Sequence, residues 1–87
     1  MEQLLLDLGI SDKGQYNEDN EYEIYLTSDD DFARIYSKLD KSNLEEDDSS
    51  ASLTEDDASF RYYSDDYEIT LVANFLDEIY KLIVREV

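Results

Sequence analysis

Carboxylates are the chemically active side chains that this sequence supplies in quantity. Asp and Glu account for 24 of its 87 residues, and several stand in unbroken runs such as Asp29-Asp30-Asp31. Carboxylates can form the acid–base pair of a hydrolase, bind calcium through their oxygens, or face a basic partner as fixed negative charges. The spacing of the runs and the residues around them indicate which of these chemistries to expect.

A catalytic role is disfavoured by the residues that are missing. The chain has no His and no Cys, which removes the commonest general base and the thiol nucleophile. The remaining options are Ser with Lys, or two carboxylates set apart across a cleft, whereas the carboxylates of this chain are crowded side by side. A chain this short also has little room for a substrate pocket. We therefore expect a protein that is not an enzyme.

A dedicated metal or cofactor site is not expected either. Calcium-binding loops space their ligands as Asp-x-Asp-x-Asp-Gly with a later Glu. None of the acidic runs has this spacing, and the two glycines, Gly9 and Gly14, both lie outside them. The absence of Cys excludes thiolate sites and disulfides and fits a reducing compartment. The sequence predicts no cofactor.

The formal net charge of −17 favours the third use of carboxylates, as fixed charges. Solubility needs a net charge of only about 2 to 8 in magnitude for a small domain, and the additional self-repulsion lowers folding stability. Such a surface repels nucleic acid and anionic lipid, so direct binding to either is disfavoured. No apolar run approaches the ~20 residues of a membrane span. We expect a protein partner with a basic surface.

The apolar pattern predicts one small α+β domain over residues 1–87. Hydrophobic residues make up 41% of the chain and aromatic residues 13%, unlike the composition of a disordered acidic tail. We expect a mostly antiparallel sheet of three to four strands with two to three helices packed on it.

The first half of the chain contains a strand that is predicted to run directly into a helix. Over residues 21–27 polar and apolar side chains alternate, with Tyr22, Ile24 and Leu26 on one side. Ser28 then stands in the position of an N-cap, with three Asp in the first helical turn. The apolar stripe of this helix has i, i+3, i+4, i+7 spacing and consists of Phe32, Ile35, Tyr36 and Leu39.

The remaining segments complete the predicted α+β order. Residues 4–10 fit a short helix that stops at the first glycine, although their alternation also permits a strand, and residues 11–20 have the composition of a loop. Alternating runs at 58–63 and 67–72 predict a hairpin. Asn74 is a possible N-cap for a last helix, whose apolar positions would be Leu76, Ile79, Tyr80, Ile83 and Val87.

The acidic runs supply the candidate partner-binding residues. Duplex DNA presents one phosphate per ~3.4 Å of rise on each strand, and side chains at i and i+2 on a strand are ~6.6 Å apart. Glu21 and Glu23 could therefore match about two base-pair rises. Residues 18–68 hold 18 of the 24 acids and four of the seven basic residues. The candidate set is Glu21, Glu23, Tyr25, Asp29, Asp30, Asp31, Glu45, Glu46, Asp47, Asp48, Glu55, Asp56, Asp57, Asp65, Asp66 and Glu68.

The densest part of this set is the segment 45–57, with seven carboxylates and no basic residue. It could be disordered, or it could hold a short strand around Ala51 and Leu53 between two acidic turns. Each run taken alone could also be a solvated helix start or turn, where Asp is favoured. That interpretation does not explain why every run is acidic and why compensating Lys and Arg are absent.

The tyrosines divide into two predicted groups. Tyr25, Tyr63 and Tyr16 are predicted to be exposed, at positions where amphipathic rings could anchor a partner beside the charges. The others fall on predicted core faces, and they are Tyr22, Tyr36, Tyr67 and Tyr80.

The chain resembles small acidic inhibitors from phages and mobile elements that act as DNA mimics. This class includes anti-CRISPR proteins directed at Cas9, inhibitors of restriction enzymes, and inhibitors of uracil-DNA glycosylase. The resemblance is carried by the length, the charge of −17, the absence of Cys and Pro, and acidic runs on an α+β scaffold. The segment 20–39, where a strand runs into a Ser28-capped acidic helix, is similar in style to one Cas9-directed anti-CRISPR.

The resemblance implies competition with DNA in the cytoplasm of a bacterial host. Cas9 reads its protospacer-adjacent motif with arginines in a basic cleft, and an acidic band placed there would block target DNA. An immunity protein that covers a nuclease toxin would have nearly the same physics, as would an inhibitor of a restriction or DNA-repair enzyme. A plain acidic adaptor with no basic target is a further alternative. The sequence leaves the target and the choice between monomer and dimer open.

Overall fold

An antiparallel β-sheet forms the body of the protein. The computed structural model describes residues 5–6, 8–10, 14–42, 44–47 and 51–86. The described strands run in the order β1-β2-β7-β6-β5-β3, and β4 also pairs with β5. They are β1 (Gln15–Tyr16), β2 (Tyr22–Leu26), β3 (Glu45–Glu46), β4 (Ser52–Leu53), β5 (Asp57–Tyr63), β6 (Tyr67–Asn74) and β7 (Ile79–Glu86), and α1 (Asp29–Asp40) follows β2.

The predicted fold class is wrong in its proportions. The structure is mostly β, with seven strands and a single helix of several turns among the described residues, instead of three to four strands and two to three helices. Three of the additional strands are two-residue pairings at the sheet edges, and two of them, β1 and β3, have no detectable period in the sequence. The third, β4, is the short strand that the sequence allowed around Ala51 and Leu53. The fourth difference is β7, which replaces the predicted last helix.

The last helix was predicted from an apolar spacing that a strand shares. Tyr80, Leu82 and Val84 alternate inward and are buried, and β7 pairs on one side with β6 and on the other with β2. Asn74 does act as a cap, but its Oδ1 accepts from the backbone N–H groups of Leu76 and Asp77 in a turn. A helix at this position would leave the facing edges of β2 and β6 unpaired, which is costly for buried backbone groups.

The predicted strand–helix unit is confirmed. In β2, Ile24 and Leu26 are buried on the side that faces α1. Ser28 caps α1, since its side chain accepts a hydrogen bond from the backbone N–H of Asp31 at 3.2 Å. The predicted stripe packs on the sheet, with Phe32, Ile35 and Leu39 buried and Tyr36 partly buried.

The predicted hairpin is also confirmed. β5 and β6 pair in register from Asp57↔Asn74 to Tyr63↔Glu68. In the turn between them, the Ser64 hydroxyl accepts from the backbone N–H groups of Asp66 and Tyr67.

The segment before β2 is only partly a loop. Gly9 has a φ of +72°, and the N–H groups of Gly9 and Ile10 bond to the carbonyls of Leu6 and Leu5. This pairing is the Schellman pattern that ends a helix, so the predicted stop at the first glycine is confirmed. The predicted loop at 11–20 is wrong at Gln15–Tyr16, because β1 pairs there with β2.

The core is a single layer between α1 and one face of the sheet. Its fully buried side chains come from the helix and from the central strands, and each fully buried aliphatic side chain stabilises the fold by roughly 1.5–3 kcal/mol. The opposite face of the sheet has no helix of the described chain on it. No helix among the described residues is both long and apolar enough to cross a membrane. The largest fully buried side chains are Ile24, Ile35, Leu39, Tyr62, Ile69, Leu71, Leu82 and Val84.

Candidate interface for a basic partner

The acidic residues collect at two opposite ends of the sheet. We call one the helix-start end, where β2 ends, α1 begins, and the turns 54–57 and 75–78 lie. We call the other the opposite end, where β2 begins and the turn 64–66 lies. The antiparallel strands of seven to eight residues separate the two ends by roughly 20–25 Å. The acidic candidate residues therefore do not form one continuous band.

The helix-start end is assembled by contacts between three segments that are distant in the chain. The backbone N–H of Phe75 donates to the carbonyl of Asp56 at 2.8 Å, which joins the two turns. Leu26 at the end of β2 is in register with Tyr80 of β7, which brings the start of α1 beside the turn 75–78.

This end carries a large excess of negative charge, and the Arg34 guanidinium, one turn into α1, is paired with Asp31. The segments 26–30, 54–57 and 74–80 contain no Lys and no Arg. Leu53, Leu76 and Ile79 add exposed apolar surface beside the charges. The exposed acidic residues of these segments are Asp29, Asp30, Glu55, Asp56, Asp57, Asp77 and Glu78.

The opposite end has mixed charge. Arg85 lies near the end of β7 and pairs with Glu68 at the start of β6. The candidate residues placed here are Glu21, Glu45, Asp65 and Asp66. The basic side chain makes this end the weaker match to a basic partner.

Two predicted contact residues on the open face of the sheet form ion pairs within the protein. The Glu23 carboxylate lies 3.2 Å from the Lys81 ammonium. Glu68 is only 9% exposed and lies between two arginines, with 3.1 Å from its Oε1 to Nε of Arg61 and a second contact to Arg85. These internal ion pairs neutralise the charge that the sequence assigned to this face.

Arg61 belongs to the same cluster. The pKa of its guanidinium is raised, mainly by a hydrogen bond with the side chain of Tyr63 and also by the charge of Glu68, against the opposing effect of burial. Tyr63 in turn donates to the carboxylate of Asp47 at 3.4 Å and is half-buried, so the prediction that it is exposed is wrong.

Asp31 is also engaged within the protein. Its carboxylate accepts from the Thr27 hydroxyl and lies 3.2 Å from the Arg34 guanidinium. These contacts lower the pKa of Asp31, the hydrogen bond from Thr27 most strongly. Of the three Asp that open α1, the first two therefore keep exposed carboxylates with no ion pair among the described residues.

The remaining candidates lie elsewhere. Glu46 and Asp47 lie at the β3 edge beside β5, and the backbone N–H of Asp47 donates to the Arg61 carbonyl at 2.9 Å. Tyr25 is 62% exposed on the open face, in register with Lys81, as predicted for an outward side chain. Asp48 lies outside the described residues.

The sequence did not select Asp77 and Glu78 as contact residues. The predicted last helix, capped by Asn74, would hold them in its first turn, whereas the structure places them in the turn 75–78 beside Asp29. The inward alternation of Tyr80, Leu82 and Val84 is the signal that could have revealed a strand, and with it this turn.

Metal ligation receives no support from the described ranges, because no three acidic side chains converge there as a metal site requires. Comparison of the chain with known protein families, curated proteins and solved structures found no match.

Proposed function

We propose that this protein inhibits a nuclease by occupying its basic DNA-binding groove as a nucleic-acid mimic. The first candidate target is Cas9, in the cytoplasm of a bacterial host, where bound inhibitor would keep target DNA from the motif-reading cleft. Inhibition of this kind is stoichiometric binding, with no catalysis and no cofactor.

The observation that carries the proposal is the charge of the helix-start end. Seven exposed carboxylates from three separate segments meet there, and those segments contain no basic residue. The open sheet face and the opposite end hold acids too, but Glu23 and Glu68 among them are paired with Lys81, Arg61 and Arg85. Arginines and lysines of a DNA-binding groove would find the strongest complementary field at the helix-start end.

The exposed apolar side chains at this end strengthen the same conclusion. Leu53 and Leu76 are more than 70% exposed and lie beside the acidic turns. Apolar contacts at the centre of an interface supply affinity, while the surrounding charges supply orientation and association rate. Solvation of helix starts and turns alone does not account for two exposed leucines beside the acidic residues.

Two triple variants with matched composition test the proposal. One neutralises the helix-start end with Asp30→Asn, Glu55→Gln and Asp56→Asn. The other neutralises the opposite end with Glu45→Gln, Asp65→Asn and Asp66→Asn. Exposed charge pairs contribute roughly 0.2–1 kcal/mol each, so we expect the first variant to bind its target at least about threefold more weakly and the second to change much less.

Binding is to be measured against Cas9, a restriction endonuclease, uracil-DNA glycosylase and a nuclease toxin, with and without competing DNA, at low and at physiological salt. Circular dichroism checks that both variants are folded. We expect competition with DNA, and a flatter salt dependence for the helix-start variant. Equal losses of affinity in the two variants would show that the helix-start end is not the preferred contact surface. Failure to bind any of these proteins at low salt would refute the proposed function.

A further inference from the structure

We propose that a cleft at the helix-start end, between the start of α1 and the turn 75–78, binds the guanidinium group of an arginine side chain of the partner. The identity of the partner rests on the proposed function, whereas the cleft itself is argued from its own geometry. It has a volume of about 260 Å³. Its lining residues are Thr27, Ser28, Asp29, Glu78 and Tyr80.

The first feature that indicates a ligand is the side chain of Tyr80. This residue is only 7% exposed, and its ring packs against Phe32 at 5.9 Å and Phe75 at 6.3 Å between ring centroids. No described residue forms a hydrogen bond with its hydroxyl group. The hydroxyl oxygen does not belong to the fully buried polar atoms that lack a partner, and Tyr80 lines the cleft, so the hydroxyl is accessible to a group that enters it.

The second feature is the pair of acidic residues that line the cleft together with Tyr80. Asp29 and Glu78 come from opposite walls of the cleft, and both are exposed. The pKa of Tyr80 is raised, first by burial and then by the charges of Asp29 and Glu78. Both carboxylates therefore act on the phenol electrostatically, which places the negative potential inside the cleft.

The position of Glu78 is fixed by the backbone of its turn. Its φ of +54° is a left-handed conformation that a residue with a side chain rarely adopts. Asn74 holds the same turn through its hydrogen bonds to Leu76 and Asp77. The carboxylate is therefore presented to the cleft by an ordered turn.

A guanidinium group fits these three acceptors better than the other cations. It is planar, stays charged at all relevant pH values, and has five N–H donors that can reach two carboxylates and a phenol oxygen together. An ammonium group has three donors from a single point and is more strongly hydrated. A divalent metal would need a larger set of ligating oxygens, and no three acidic side chains converge among the described residues.

The experiment uses the whole protein and a capped amino acid as the probe. N-acetyl-arginine amide is titrated into protein that carries ¹³C-labelled tyrosine, and the Tyr80 signal is assigned with Tyr80→Phe, which keeps the ring packing. We expect a saturable shift of the Tyr80 signal and a lower apparent pKa of its phenol when the probe is bound. N-acetyl-lysine amide should bind several-fold more weakly.

The matched variants separate the cleft from the general negative charge. Asp29→Asn with Glu78→Gln should weaken binding of the arginine probe at least about tenfold, while Asp30→Asn with Glu55→Gln changes the same residue types outside the cleft and should have little effect. If the first pair does not fold, Glu78→Gln alone provides the comparison.

Three results would overturn the inference: no saturable shift of Tyr80, equal losses in the two double variants, or equal affinity for the arginine and lysine probes. Any of these three results can occur while the helix-start triple variant still binds the target more weakly than the opposite-end triple variant. In that case the cleft proposal fails and the proposed function stands. If the probe binds as expected but no DNA-binding protein does, the proposed function fails and the cleft remains a guanidinium site.

Discussion

At the scale of single residues, the ionised side chains divide into those that the fold uses and those that it leaves exposed. Glu68 is the clearest case of the first kind, because it is almost fully covered and contacts two arginines. Asp31 is a second case, with a hydroxyl and a guanidinium as partners. Asp29, Asp30 and the acids of the turns have no such ion pairs in the described chain, so their charge is available to a partner.

Replacement of Glu68 by Gln should therefore reduce stability. It leaves Arg61 and Arg85 without their shared counterion at a covered position. A fully buried pair that loses one member costs about 3–5 kcal/mol, but both arginines here are substantially exposed, so we expect a loss of about 1–2 kcal/mol.

Urea unfolding measures this loss, with Glu86→Gln as the control, because Glu86 is exposed near the same end of the sheet. The control should lie within about 0.5 kcal/mol of the natural protein. Equal free energies of unfolding for the two variants would show that the ion pairs of Glu68 add no stability beyond the effect of removing one negative charge.

At the scale of secondary-structure elements, the β6–β7 hairpin does the most to shape the candidate site. Its turn carries Asp77 and Glu78 to the helix-start end, and its second strand places Tyr80 beneath the cleft. The left-handed backbone of Glu78 is a local cost of this turn, since a side chain in that region is disfavoured by roughly 1–2 kcal/mol.

Substitution Glu78→Gly should relieve that cost. Glycine adopts positive φ freely but loses more chain entropy on folding, so the net gain in the free energy of unfolding is expected to reach up to about 1 kcal/mol. The same substitution should weaken the guanidinium site, so stability and probe affinity would move in opposite directions.

Thermal and urea unfolding provide the measurement, and Leu76→Gly is the control because Leu76 lies in the same turn without positive φ. The control should be neutral or destabilising. A clear loss of stability in Glu78→Gly would contradict the turn and favour the helix that the sequence predicted, since glycine weakens a helix interior.

At the scale of the whole molecule, the charge of −17 opposes folding. Neighbouring acids within each end of the sheet repel one another. At physiological salt this repulsion has a screening length of about 8–10 Å. The expanded unfolded chain feels less of this repulsion, so the native state should gain more from added salt.

We therefore expect the free energy of unfolding to rise between about 20 mM and 500 mM salt, where the screening length falls well below the size of the protein. Sodium, potassium and lithium chlorides should act alike if the effect is screening. Both matched triple variants, which have three fewer negative charges, should gain less. Stability that falls with salt, or that responds to one cation alone, would contradict a general charge repulsion.

The sequence by itself determined the strand–helix unit at 22–40, the hairpin of β5 and β6, the turn at Gly9 and the excess of negative charge. Those features depend on local periodicity, capping residues and composition, which a single chain segment contains. Only the tertiary structure decided that residues 79–86 form a central strand, because apolar side chains at Ile79, Tyr80 and Ile83 suit either a helix or a strand, and the unpaired edges of β2 and β6 favour the strand.

The same limit applies to the site. The sequence supplied the acidic residues, but it could not show that Glu23 and Glu68 form ion pairs with basic side chains, because the paired residues are 58 and 17 positions apart in the chain. Cross-strand register divides the acids between two ends, and the hairpin turn adds Glu78 to Asp29. Charge content is a property of the sequence, whereas the place where charge is left uncompensated is a property of the fold.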